Sequence, residues 1–199
     1  MRVVTLCGSL GPTSSNQAAL DLAAAHVTSA SSVAVESAGC LSAVPPFRPD
    51  EVDDPPEAVE RLRRTLGAAD GVLVAAPEYA AGVSGVVKNA LDWMVGAGSL
   101  YHTPVAVLSA GTTGGPFAIE QLVRTLSWHG ALVVSTLGIA APIPKMHDGR
   151  FVDPATIGAI GYWAGALVDA IGESWQAKIE RVTRVIVPYG IDPRRFGDG

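Results

Sequence analysis

Short apolar runs alternate with segments of helical periodicity along most of the chain. Five of these runs have the length and β-branched content of buried parallel strands, and they cover residues 2–7, 32–37, 71–76, 104–110 and 131–136. Amphipathic segments predict helices after residue 16, over residues 57–67, after residue 84, over residues 117–129, and over residues 154–182 with a break near Gly172. This alternation predicts an α/β fold with a doubly wound, parallel, five-stranded sheet in the order 2-1-3-4-5 and helices on both faces.

Three loops follow the first, third and fourth predicted strands, at residues 8–16, 76–84 and 109–116. The carboxyl ends of parallel strands meet at one edge of the sheet. In open α/β sheets, ligands bind at this edge where the strand order reverses. The sequence therefore predicts one ligand that contacts all three loops.

The first loop is rich in hydroxyl groups and runs directly into a helix. Unpaired N–H groups and the helix dipole favour an anion at such a point. Side-chain donors surround it, namely Ser9, Thr13, Ser14, Ser15 and Asn16. The loop predicts a phosphate site, with the alternative that Ser14 or Ser15 merely caps the helix. Its glycine spacing matches neither the dinucleotide fingerprint nor a P-loop.

The second and third loops have the character of binding turns. Pro77 stiffens the second loop and removes one backbone donor, so Glu78 and Tyr79 are presented at the sheet edge. The alternative is an ordinary surface turn, followed by a helix that Ser84 caps. Three glycines within residues 111–115 allow a flat ligand to approach backbone N–H groups, although such a loop is a weak indication by itself.

Composition narrows the function classes. The 199 residues suit one domain, and a net charge of −5 with scattered Lys and Arg excludes a nucleic-acid partner. Cys7 and Cys40 form no CxxC motif, which predicts free thiols in a reducing cytoplasm. The apolar tract at residues 157–171 is shorter than the roughly 20 residues of a membrane span, so no membrane segment is expected.

The histidines indicate neither a metal site nor a catalytic triad. They are His26, His102, His129 and His147, and their spacing fits no metal-ligand or nucleophile pattern. We therefore expect no bound metal.

Three sequence blocks carry a family resemblance. They are Gly8-Ser9-Leu10 with Ser14 and Asn16 downstream, Pro77-Glu78-Tyr79, and Gly-Val-Val-Lys-Asn-Ala-Leu-Asp-Trp at residues 85–93. With these blocks the chain resembles the NAD(P)H-dependent FMN reductase family of flavodoxin-like proteins, over roughly residues 2–171. The third block is the most specific.

The resemblance implies FMN as cofactor, NADPH or NADH as electron donor, and a second acceptor such as free flavin, a quinone or an azo compound. It implies that Ser9, Ser14 and Asn16 hold the FMN phosphate and that the other two loops flank the ring. No catalytic side chain is expected, because the flavin carries the chemistry. The expected cofactor-binding residues are Ser9, Leu10, Ser14, Ser15, Asn16, Pro77, Glu78, Tyr79, Ala80, Ser109, Gly111, Thr112, Gly114 and Gly115.

The chain departs from the family pattern around the first two loops. Gly11 stands where family members commonly carry Arg, and residues 8–16 contain no basic side chain. Losing one charge-assisted hydrogen bond weakens binding roughly ten- to hundredfold, so FMN is expected to bind loosely. Ala80 replaces the family's Asn and Ser84 its helix-opening Pro. Loose binding suits a reductase that supplies flavin to a flavin-dependent monooxygenase.

Two other functions stay open at this point. One is an FMN-binding electron-transfer or sensing module that oxidises no nicotinamide. The other is a family member that has lost its flavin and acts as a binding protein. Gly11 and Ala80 are the residues that suggest this alternative.

Two expectations concern the surface and the carboxyl end. Trp93 lies off the apolar stripe of its helix, which predicts an interface in a homodimer or homotetramer, with the alternative that it covers a loop of its own domain. Residues 1–182 are expected to form the FMN-binding domain. Residues 183–199 are expected to be an extension with an edge strand at residues 185–187 and a flexible remainder.

Overall fold

A computed structural model describes residues 1–30 and 33–197. Its centre is a parallel sheet of β1 (Arg2–Cys7), β2 (Ala34–Ser37), β3 (Gly71–Ala75), β4 (Pro104–Gly111) and β5 (Leu132–Ala140). The strands pair in the order β2-β1-β3-β4-β5, so the predicted order 2-1-3-4-5 is confirmed. Position 32 of the predicted second strand lies outside the described residues.

Six helices cover the sheet in the described part of the chain. They are α1 (Ser15–Ala30), α2 (Glu57–Gly67), α3 (Gly85–Asp92), α4 (Pro116–Trp128), α5 (Pro154–Gly172) and α6 (Trp175–Ile186). In α2, Val59, Leu62 and Leu66 are buried at helical spacing, as the sequence pattern requires. The break expected near Gly172 separates α5 from α6, and the Ser174 hydroxyl accepts a hydrogen bond from the N–H of Ala177 to cap α6.

Among residues 1–30 and 33–197, one helix is long and apolar enough to cross a membrane by length and composition alone. This helix is α5, with 19 residues and a mean hydropathy of 1.2 in its most apolar window. Its inner face is buried, and the Trp163 indole N–H donates to the Val107 carbonyl of β4 at 3.0 Å. The structure therefore uses α5 as a core helix packed on the sheet.

Two segments are more ordered than the sequence predicts. β5 continues to Ala140, beyond the predicted end at residue 136, because it pairs with β4 as far as Gly111. The segment between β5 and α5, for which the sequence pattern predicted no element, contains an antiparallel hairpin. We call it the 146–151 hairpin, and it is formed by Met146–His147 and Arg150–Phe151. The extended end of β5 lies at the carboxyl edge of the sheet, and the 146–151 hairpin follows it in the chain.

The expected edge strand at residues 185–187 is wrong. Val182 and Ile186 are buried on one face of α6, so a helical period dominates over the β-branched run that suggested a strand. The expected flexible remainder is also wrong as far as residue 197, because Ile191 and Phe196 are buried and the chain forms short 3₁₀ turns at Val187–Tyr189 and Pro193–Phe196. Residues 198 and 199 lie outside the described residues.

Trp93 does not lie at a protein surface. It is fully buried, and its indole N–H donates to the Pro45 carbonyl at 2.8 Å. The Phe47 ring contacts it edge-to-face, with centroids 5.2 Å apart. The predicted interface role of Trp93 is therefore wrong, because the loop before α2 folds over the outer side of α3 and covers this side chain.

Candidate functional site

The three predicted binding loops lie side by side at the carboxyl edge of the sheet. β3 pairs with β1 on one side and with β4 on the other. Backbone pairing continues past the strand ends, since the N–H of Gly8 donates to Ala75 and the N–H of Ala76 donates to Leu108. The loops after β1, β3 and β4 are thus held in fixed relation.

Ser84 connects the first two loops instead of capping its helix with its side chain. It occupies the position before α3, but its hydroxyl donates to the Gly8 carbonyl at 2.7 Å. A Cβ at Gly8 would lie 2.4 Å from a methyl group of Val87 and 2.9 Å from the Ser84 hydroxyl. Gly8 must therefore be glycine for the loop to pack this closely against α3.

The start of α1 has the donors of an anion site and no charged group. Ser14 caps the helix, since its hydroxyl oxygen accepts from the N–H of Gln17 at 3.2 Å and its carbonyl accepts from Ala18. No acidic residue occupies the first turn. Ser9 and Ser15 are half-buried beside this turn, and Thr13 is exposed. These uncharged donors and the positive end of the helix dipole fit the phosphate of FMN.

Asn16 has a structural task at the same point. Its side chain is buried, donates to the Ala110 carbonyl at 3.0 Å, and accepts from the Ala110 N–H at 2.9 Å. The carboxamide therefore ties α1 to the end of β4, and both its oxygen and its nitrogen form hydrogen bonds within the protein. Only the backbone N–H of Asn16 is in place for the role that the family resemblance implies.

The second loop is a tight hairpin fastened to α4. Glu78–Tyr79 pairs with Gly82–Val83, and the turn residues Ala80 and Ala81 have φ values of +50° and +56°. Pro77 is buried below the hairpin, and Tyr79 is 62% exposed on its rim. Alanine rarely adopts positive φ, so this turn stores backbone strain at the site.

Two side chains hold this hairpin against the start of α4. Glu78 Oε2 accepts from the N–H groups of Phe117 at 2.8 Å and Ala118 at 3.1 Å. Gln121 Oε1 accepts from the N–H of Val83 at 2.8 Å. The Glu78 carboxylate is thus occupied by the helix, which leaves its backbone to face a ligand.

The third loop presents fewer residues than the sequence suggests. Gly111 is half-buried and Thr112 is exposed, whereas Gly114 and Gly115 are buried with φ values of +84° and +67°. Ser109 is fully buried, and its hydroxyl lies 1.9 Å from where a Gly115 Cβ would stand. Ser109, Gly114 and Gly115 therefore support the loop from below, and Gly111 and Thr112 form its surface.

Sequence reasoning missed several contributors to the site. Gln121 fixes the hairpin, and Phe117 is 54% exposed at the start of α4. The end of β5 closes the third loop, because the N–H of Ala141 donates to the Gly111 carbonyl. No local pattern indicated these contacts, since each partner is distant in sequence or belongs to an ordinary helical stripe.

The three loops offer binding surfaces made of backbone and hydroxyl groups. Burial raises the pKa of the Cys7 thiol at the end of β1, so this group stays protonated near neutral pH. Among residues 1–30 and 33–197, no three His, Cys, Asp or Glu side chains cluster in a way that could hold a metal ion. The arrangement suits an anion beside a flat, neutral ring.

Solved structures share this architecture. FerB, a flavoenzyme NAD(P)H:(acceptor) oxidoreductase from Paracoccus denitrificans, superimposes with a TM-score of 0.70 at 26% identity, over 85% of this chain and 96% of that one. Flavodoxin 1 from Bacillus cereus superimposes with a TM-score of 0.61 at 15% identity, over 87% of this chain and all of that one. The second likeness shows a flavodoxin-like fold and nothing more.

Sequence comparison identifies the family. An NAD(P)H-dependent FMN reductase of Pseudomonas aeruginosa is 39% identical over 132 residues, which are 63% of this chain and 69% of that protein. An NADPH azoreductase of a Bacillus species is 34% identical over 120 residues, 59% of this chain and 63% of the azoreductase. The family described as NADPH-dependent FMN reductase matches residues 1–143, which contain all three loops. The chain therefore belongs to the NADPH-dependent FMN reductase family.

Proposed function

We propose that this protein is an FMN-dependent NAD(P)H oxidoreductase. It takes electrons from NADPH or NADH and delivers them to a second acceptor such as free flavin, a quinone or an azo compound. The observation that carries the proposal is the junction of the three loops at the sheet edge, within the part of the chain that matches the family. The relatives named FMN reductase and azoreductase support flavin and azo compounds as acceptors.

Each loop binds a different part of FMN. The first turn of α1, with Ser9, Leu10, Ser14 and Ser15, holds the phosphate through backbone and hydroxyl donors. The Glu78–Val83 hairpin, including Tyr79 and Ala80, and the Gly111–Thr112 surface flank the ring. Bound FMN supplies the two-electron chemistry that no side chain here provides. The backbone N–H groups of these two loops are held in place and stabilise negative charge at the edge of the ring. No side chain is needed as a proton donor for this.

The uncharged phosphate site supports an exchangeable cofactor. Within the loop around Ser9 and Ser14, Gly11 provides no guanidinium, so the phosphate relies on neutral donors. We propose that FMN leaves readily enough for the protein to supply reduced flavin to a monooxygenase.

Quaternary structure and location are part of the proposal. Trp128 and Tyr162 are 77% and 81% exposed, which supports a homodimer or homotetramer. Cys7 and Cys40 are free thiols, which supports a reducing cytoplasm. The net charge of −5 supports a protein without a nucleic-acid partner. We assign residues 1–182 to the FMN-binding domain and residues 183–199 to an extension of it. Light scattering on the purified protein tests the oligomer, and a monomer would contradict it.

An anaerobic titration tests the activity. The protein is reconstituted with FMN and titrated with NADPH and then NADH while the flavin absorbance is followed. Bleaching by one equivalent of nucleotide, followed by recovery with a quinone or azo dye, is the expected result. Binding of FMN without bleaching by either nucleotide would favour an electron-transfer or sensing module. Absence of FMN binding would favour a flavin-free binding protein.

A pair of variants ties the activity to the α1 site. Ser15→Asp adds a negative charge at the start of α1, which suits the helix dipole but repels a phosphate. It should keep its thermal stability and lose FMN affinity, whereas Ser15→Ala should lose much less affinity. Equal FMN affinity in both variants would place the phosphate elsewhere.

A further inference from the structure

The loop over residues 8–16 is the proposed phosphate site, and we call it the phosphate loop. A groove along α1 continues from this loop. Two adjoining cavities of about 570 Å³ and 450 Å³ share Ala18, Asp21 and Gly149. The first reaches the phosphate loop through residues 12–15, and the second ends beside Ala25. We call this continuous space the α1 groove.

The groove follows one face of the helix. Beyond the first turn, its α1 wall consists of Ala18, Asp21, Leu22 and Ala25, which lie on one face of the helix; Ser14, Ser15 and Gln17 line its end at the phosphate loop. The span from Ser14 to Ala25 is about 16 Å at 1.5 Å per residue. The opposite wall is the 146–151 hairpin. A ligand that begins at the phosphate loop therefore has an open path along the helix.

Resting on the proposed function, we propose that the α1 groove binds the adenylate half of FAD. FAD extends FMN at its phosphate by a second phosphate, a ribose and an adenine. The path of that extension starts where the groove starts. The groove therefore makes FAD, in addition to FMN, a cofactor of this protein.

The groove walls match an adenylate group. Leu22, Ala25 and Phe151 form an apolar bed, with Phe151 itself buried against the core. Asp21 keeps acceptor capacity for ribose hydroxyls, since Gln17 Nε2 donates to its Oδ1 at 2.8 Å and Oδ2 remains. Carboxylates take this role toward ribose in dinucleotide-binding proteins.

Arg150 lines the second cavity, beside the apolar bed of Leu22, Ala25 and Phe151. It lines the groove next to Gly149, and within the described residues it forms no ion pair. The other charged side chains on the walls, Asp21 and Asp148, are acidic. A guanidinium stacks on aromatic rings, so the adenine of FAD gains from Arg150 a contact that FMN does not reach.

Binding measurements alone test this assignment. Dissociation constants for FMN and FAD are measured by flavin fluorescence on the wild-type chain. FAD should bind about tenfold more tightly than FMN, because its adenylate half makes contacts in the groove that FMN does not reach. Equal or weaker binding of FAD would overturn the proposal.

Two groove variants and two matched control variants test whether the tighter binding of FAD comes from the α1 groove. Arg150→Ala and Ala25→Trp should each raise the dissociation constant of FAD roughly tenfold and leave that of FMN unchanged. Arg194→Ala, at a guanidinium paired with Asp192, and Thr28→Trp, on an exposed part of α1 outside the groove, should change neither constant. Equal weakening of FMN and FAD by the groove variants would contradict the assignment.

NAD(P)H also carries an adenylate group. Steady-state kinetics distinguish FAD from NAD(P)H as the ligand of the groove. If Arg150→Ala raises the KM for NADPH and leaves FAD affinity unchanged, the groove serves the nicotinamide nucleotide and the FAD proposal fails. Failure of the proposed function would appear differently, as FMN that does not bind or is not bleached by either nucleotide. The ratio of FAD to FMN affinity does not depend on that turnover.

Discussion

The Asn16 carboxamide and the Ala110 backbone exchange two hydrogen bonds, at 3.0 Å and 2.9 Å, across the centre of the candidate site. Asn16 belongs to the first turn of α1 and Ala110 to the end of β4, two elements separated by 94 residues. Both partners are buried. This pair fixes the distance between the phosphate loop and the loop after β4.

Replacing Asn16 tests this tie. Asn16→Ala leaves a buried N–H and a buried carbonyl of Ala110 without partners, which costs about 1–3 kcal/mol of unfolding free energy for each group. FMN affinity should fall as well, because the two loops lose their fixed spacing. Urea denaturation measures the first effect and fluorescence titration the second. Gln17→Ala, on the exposed side of the same turn, serves as the control and should change stability by much less.

Gly11 offers a gain of affinity. A Cβ at this position meets only the Ser9 hydroxyl, at 4.0 Å, so a side chain fits without rearrangement. Gly11→Arg should lower the dissociation constant of FMN roughly ten- to hundredfold by adding a charge-assisted contact to the phosphate. Gly11→Met, which matches the length but not the charge, should have little effect. A gain that persists undiminished in high salt would show that the contact is not ionic.

The Ala80–Ala81 turn is a second place where the chain can be improved. Positive φ at both central residues is the requirement of a type I′ turn, for which Asn-Gly is the preferred pair. The double change Ala80→Asn and Ala81→Gly should raise the unfolding free energy by about 1 kcal/mol through relief of backbone strain. Thermal unfolding measures it. Exchanging Ala97 for Gly, at a residue without positive φ, should bring no gain.

Glu173 and Arg181 make part of the stability depend on pH. Arg181 donates from Nε to Glu173 Oε2 at 3.1 Å and from Nη2 to Oε1, and these hydrogen bonds hold the pKa of Glu173 below its ordinary value of 4.5. A lowered folded-state pKa gives a contribution that is complete above pH 4.5 and is lost as pH falls through the folded-state value.

Glu173→Gln should therefore destabilise the protein by about 0.5–1 kcal/mol at neutral pH. The difference from the wild type should shrink as the solution is acidified below the ordinary carboxyl value. Chemical denaturation between neutral and acidic pH measures it. Glu180→Gln, in α6, is the comparison, because among the described residues Glu180 accepts a hydrogen bond from Gln176 and forms no ion pair. A difference in unfolding free energy that grows on acidification would contradict the predicted direction of the pH dependence.

The sequence alone determined the sheet and the position of the site. Apolar runs of strand length, separated by helical stripes, fix which segments become β3 and β4, and the alternation fixes their parallel order. The loops after β1, β3 and β4 then meet at one edge, because parallel strands all end there. These features depend on local pattern and connectivity, which the chain carries in its own order.

Only the tertiary structure decided what individual side chains do at that edge. Asn16 bonds to Ala110, 94 residues away, and Glu78 to Phe117, 39 residues away, so neither side chain is free for a ligand. Trp93 is buried because Pro45 and Phe47, more than forty residues earlier, fold over it. Burial and hydrogen bonding between distant segments depend on how loops pack in space, and no local period encodes that packing.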